Sequence, residues 1–118
     1  MEKPNAATVA AYDAAIPTDP RAVKGQMFGH PCAFVNGNMF FGTFAQTLVA
    51  RVGVPRAAAL RDSGAAVLFE PMSGRAWRDY VQVDPKVVPA AVIAAYAAES
   101  LENTAAMPAK VKKAAKKK

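Results

Sequence analysis

The sequence predicts an α+β fold: a two-layer sandwich in which an antiparallel sheet of about five strands carries helices, in the order α-β-β-β-α-β-β-α. Three observations lead there. Helix-compatible segments stand at both ends and once in the middle, the stretches between them are rich in aromatic and β-branched residues, and an Asn36-Gly37 pair joins two of those stretches closely enough to demand antiparallel pairing. The chain has the size of one core. Its 118 residues, 53% hydrophobic and 20% charged, suffice to bury roughly 65% of the unfolded surface without disulfides or a structural metal.

The elements follow in order. Asn5 is a good N-cap, Val9, Tyr12 and Ile16 recur at helical spacing behind it, and Pro17 stops the pattern, which predicts a first helix over residues 5–16. Pro17, Asp19 and Pro20 make a stiff connector. From Gln26 to Val52 the chain is aromatic and β-rich. Asn36-Gly37 tolerates the positive φ of a type I′ turn and joins strands at Cys32–Val35 and Asn38–Phe41. A third strand is expected over Gln46–Val52, with Leu48, Ala50 and Val52 on one face, and Gly53 ends it. Pro55 suits a first helical position and Gly64 a left-handed C-terminal one, so a second helix is expected over Pro55–Ser63. Val67–Phe69 and Tyr80–Val83 are two further strands, joined by the connection 70–79, which is long for a hairpin and leaves room for paired residues near Trp77. The last helix begins with Pro85 in a lead-in turn and Pro89 in its first turn, carries Val88, Val92, Ala95, Tyr96 and Glu99 at helical spacing, and reaches about Glu102.

Charge divides the chain in two. Lys110, Lys112, Lys113, Lys116, Lys117 and Lys118 are six of the fifteen basic residues and lie in 105–118, where there is no acid; the other nine face all nine acids in 1–104. The division predicts a charge-balanced domain over 1–104 and a lysine-rich, disordered tail over 105–118. One cysteine, Cys32, excludes an internal disulfide. The opening residues do not read as a secretory signal, and no apolar run approaches the ~20 residues that a membrane-spanning helix needs. A cytoplasmic location is therefore expected.

Certain residues also carry a family likeness. Met27-Phe28-Gly29, Phe34-x-Asn36-Gly37-x-Met39-Phe40, Leu48 with Arg51, Phe69-x-Pro71-Met72-x-Gly74-Arg75 and Tyr80-Val81-x-Val83 together resemble the TfoX/Sxy N-terminal domain, over roughly residues 22–98. That family is similar in fold to YjbR-like proteins and includes bacterial regulators of natural competence. The resemblance implies a cytoplasmic regulatory or adaptor role and no enzyme class.

Each candidate site competes with ordinary packing. His30 and Cys32 stand two apart, so on a strand they share a face; with Phe28 beside Gly29 they are candidates for a small ligand pocket. Two soft donors are too few for a metal site, and the competing expectation is a buried thiol beside a loop histidine. Met72, Arg75, Trp77 and Arg78 are the candidate partner-binding residues, because arginine and tryptophan dominate interface hot spots; the alternative is that Arg75 ties its own loop and Trp77 closes the core. The six tail lysines are candidates for sequence-independent nucleic-acid contact, since no arginine or aromatic side chain accompanies them to read bases. The sequence contains no Ser-His-Asp ordering, no evident carboxylate pair and no Gly-x-Gly phosphate loop, so no catalytic residue and no cofactor is assigned. The expected partner is another protein.

Overall fold

The computed structural model describes residues 3–27, 29–72 and 74–107, with the backbone alone for Met27, Pro71, Met72 and Arg75. The order is α1 (Ala6–Ala15), β1 (Val23–Met27), β2 (His30–Val35), β3 (Asn38–Phe44), β4 (Thr47–Arg51), α2 (Val54–Ser63), β5 (Val67–Met72), β6 (Arg75–Val83) and α3 (Ala90–Ala105). The strands form one six-stranded sheet in the order β1-β2-β3-β4-β6-β5, and every neighbouring pair is antiparallel. The α+β class and the order of the predicted elements hold. Among the described residues, no helix is long and apolar enough to cross a membrane.

The extra strand is β1. Val23-Lys24-Gly25-Gln26-Met27 has neither alternation nor β-branched enrichment, and it extends because its backbone pairs with β2 at the sheet edge, from Val23 opposite Phe34 to Met27 opposite His30. The β5–β6 unit is also longer than its two predicted strands. Phe69 pairs with Trp77, as the length of the connection allows, and Met72 pairs with Arg75, so the strands run well into 70–79, with Gly74 at φ 80° and its N–H donated to Glu70 Oε2. The Asn36-Gly37 turn has the backbone its residues suggest, with φ of 54° and 80°.

One layer of helices lies on one side of the sheet. Tyr12 and Ala15 of α1, Ala57 and Leu60 of α2, and Ile93, Tyr96, Ala97 and Leu101 of α3 pack with Ala33, Val35, Phe41, Leu48, Ala50, Val52, Val81 and Val83. The Tyr12 ring stacks on Phe41 with centroids 5.7 Å apart. Asn5 caps α1 as expected by accepting from Thr8 N at 2.9 Å. The amide of Gln46, in the β3–β4 turn, accepts from Asn5 N and Thr8 Oγ1 and donates to Lys3 O, tying the start of α1 to the sheet.

The stripe on α3 is a correction. Ile93, Tyr96, Ala97, Ser100, Leu101 and Thr104 are buried, whereas Val92, Ala95 and Glu99 are exposed. The helix is turned from the expected orientation because the small residues Ala97 and Ser100, wholly buried, allow close packing on the sheet. Pro89 is the N-cap, one residue before the first turn, and α3 runs on to Ala105.

Candidate functional site

The other side of the sheet is built from aromatic side chains. Strand alternation places Val49 opposite both Gly42 and Gln82, and Arg51 opposite Tyr80, on the side away from the helices. Val49, Phe69 and Tyr80 form a second buried cluster, with Met39 and Phe44 packed against it; among the described residues no helix residue joins it. The rings touch in sequence: His30 to Phe44 at 6.0 Å, Phe44 to Phe69 at 5.0 Å, Phe69 to Trp77 at 5.1 Å and Trp77 to Tyr80 at 5.2 Å. Most of these contacts are edge-on or tilted, the arrangement ring quadrupoles favour.

Trp77 and Tyr80 are three residues apart and should face opposite sides of a regular strand. They share a side because the β5–β6 pairing slips: Leu68 is opposite Val81, yet the next residue, Phe69, is opposite Trp77. Such a bulge bends the strand and re-aims its side chains. The outcome is a graded surface, with Phe69 and Tyr80 buried and Trp77 left 40% exposed at the margin.

The layer is pinned by polar contacts. Tyr80 Oη donates to Met39 O at 2.8 Å, and Gln82 Nε2 donates to Thr47 Oγ1 at 2.8 Å. Arg51 Nε lies 2.7 Å from Asp79 Oδ2, and its guanidinium stands 5.5 Å from the Tyr80 ring centre. Burial, the largest influence, pushes the Tyr80 phenol up to about 12.

His30 and Cys32 share a face, as their spacing implies, and both are buried, at 3% and 1% exposure. The Cys32 thiol donates to His30 O at 3.3 Å. Phe28 lies outside the described residues, as do the six tail lysines. No three His, Cys, Asp or Glu side chains among the described residues gather as a metal site.

Of the four predicted contact residues, the structure separates two. Trp77 joins the aromatic side, while Ala76 and Arg78, its neighbours on β6, line a groove on the helix side. There Arg78 meets Arg61 of α2 around a cavity of about 130 Å³, whose remaining walls are Val54, Ala58, Leu68 and Ala76. The side chains of Met72 and Arg75 are not described. Arg61 was missed by the sequence reading; its signal is the run Val54, Ala58, Arg61, which falls on one helical face apart from buried Ala57 and Leu60.

No family model, curated protein or solved structure matches the chain.

Proposed function

We propose that this chain is a regulatory or adaptor domain of the TfoX N-terminal type, cytoplasmic and acting by binding another protein through the β5–β6 hairpin. One observation carries the reading: a tryptophan is left 40% exposed at the edge of a sheet face on which no described helix residue packs, backed by buried Phe69 and Tyr80. A rigid aromatic held at a fixed angle loses little entropy on docking, and tryptophan is the residue type most often found to dominate an interface. The motif residues quoted above support the family and its link to regulation of competence. Catalysis has weaker support, because the buried His30 ring stacks on Phe44 and the buried Cys32 thiol donates to His30 O.

The test is a photo-crosslinking residue at position 77 of the full chain in the native host cell, followed by reconstitution with the purified captured protein. Trp77→Ala should abolish that reconstituted binding while leaving a cooperative melt. Unchanged binding would overturn the reading, and so would crosslinks no more abundant than from exposed Val92.

A second reading is non-specific nucleic-acid association through the tail, favoured by the concentration of six lysines and no acid in 105–118. Binding to a DNA duplex should fall with salt at a log-log slope of up to about −5, and glutamine at those six positions should remove it. A slope near zero rejects this reading.

A further inference from the structure

The groove between α2 and the β5–β6 hairpin combines an apolar lining with two cationic side chains. Its lining is aliphatic at Val54, Ala58, Leu68 and Ala76 and cationic at Arg61 and Arg78. Among the described residues the Arg61 side chain pairs only with its own neighbour, Asp62, at 3.1 Å, and both side chains are more than half exposed. An exposed pair of this kind is weak and readily exchanged. Among the described residues Arg78 has no ion-pair partner, whereas Arg21, Lys24, Arg51 and Arg56 each hold an acid.

We infer that this groove receives a short acidic segment of the partner protein, with one branched aliphatic side chain in the cavity and flanking carboxylates on Arg61 and Arg78; the inference rests on the protein-binding reading above. Size supports one side chain. A cavity of about 130 Å³ is well below the roughly 300 Å³ at which cofactor and drug-sized sites begin, and near the roughly 150 Å³ that holds a benzene ring. Charge selects the occupant. Guanidinium groups bind carboxylates through paired, charge-assisted hydrogen bonds, and the chain's own segment 105–118 contains no acid to offer them. Nucleic acid fits less well, because among the described residues no aromatic side chain lines the groove to stack on a base.

Fluorescence anisotropy with the full chain tests this, using a labelled peptide that has one leucine between glutamate pairs and a control with glutamine in place of each glutamate. The glutamate peptide should bind, and affinity should fall about tenfold or more for the control and for the R61Q/R78Q variant. Ala58→Leu, which fills the cavity without touching charge, should weaken binding as well. Equal binding of the two peptides, or binding unchanged by both variants, overturns the proposal. A DNA duplex retained by the wild type and lost by R61Q/R78Q overturns it in favour of phosphate. The two readings fail separately. A partner crosslinked at position 77 that still binds R61Q/R78Q removes the groove alone, and peptide binding without a crosslink at position 77 removes only the tryptophan surface.

Discussion

The two sides of the sheet solve the same burial problem by different means. On one side, three helices cover Phe41, Leu48, Ala50, Val81 and Val83, and most of the packed residues are aliphatic or alanine. On the other, Val49, Phe69 and Tyr80 are buried by neighbouring strand side chains, chiefly aromatic, and by the slipped end of the β5–β6 hairpin. Large rings can shield a sheet without a second layer because each covers so much area. Such a cover must thin out at its margin, and there Trp77 remains part exposed. The helix-covered side is where stability should concentrate, and the aromatic side is where the proposed partner would dock.

Substitution at the centre of each side is the strongest way to break that contrast. Phe41, almost wholly buried under Tyr12, should cost about 3–5 kcal/mol on replacement by alanine, read from the denaturant midpoint at constant m. Trp77→Ala, measured the same way, should cost only about 1–2 kcal/mol, since much of the ring is already in water. Equal losses would make Trp77 a core residue and remove the distinction.

Next in size is Gly42, which lies beneath the aromatic layer. A Cβ there would stand 2.6 Å from Cys32 Cβ and 3.2 Å from Cys32 Cα, backbone-near atoms that cannot swing away. Gly42→Ala should therefore cost about 2–3 kcal/mol and disturb the contact between His30 and Phe44, visible as a shifted histidine ring resonance. An unperturbed melt would mean that β2 and β3 separate easily and that this side is looser than its burial implies.

The phenols sharpen the comparison further, one lying on each side. Tyr80 is pushed from 10.0 to about 12, and burial raises Tyr12 still more, with the charges of Cys32 and Asp13 adding to it. A phenol raised in the folded state contributes stability that is complete below its unfolded value near 10 and disappears as pH climbs through the folded value. Stability should thus be level up to about pH 10 and then fall, with Tyr80 accounting for ~2 kcal/mol of the loss by pH 12. Tyr80→Phe should roughly halve the slope over that interval, and the remainder belongs to the covered side. If Tyr80→Phe leaves the slope unchanged, the aromatic layer already admits water to its phenol.

Local chemistry made much of this legible in the sequence, and tertiary geometry hid the rest. The Asn36-Gly37 turn, the Asn5 cap, the Gly64 C-cap and the shared face of Leu48, Ala50 and Val52 depend on neighbours in the chain, and all appear. Strand β1 could not be read because its extension is imposed by β2 across the sheet edge. The α3 stripe was misplaced because Ala97, Ser100 and Thr104 are small or polar residues buried by close packing, which hydrophobic periodicity ignores. At the site, the sequence grouped Trp77 with Arg78, but alternation along β6 sends them to opposite sides. Arg61 became visible only when α2 was laid against that hairpin.

The smallest predicted effect lies at the joint between the two sides. Ala45, in the β3–β4 turn, has φ 52°, a left-handed conformation that costs a residue with a Cβ about 1 kcal/mol. Glycine removes that cost but enlarges the freedom of the unfolded chain, so Ala45→Gly should stabilise by about 0.5 kcal/mol. The neighbour decides whether the gain is realised. Gln46 ties the start of α1 through Lys3, Asn5 and Thr8, and a more supple turn could loosen that tie. Amide exchange in the first turn of α1 separates the outcomes. Unchanged protection with a small rise in melting temperature means that the strain is confined to the turn. Faster exchange in α1, with the β5–β6 hairpin unaffected, would show that Ala45 holds the helical layer onto the sheet while the aromatic side stands without it.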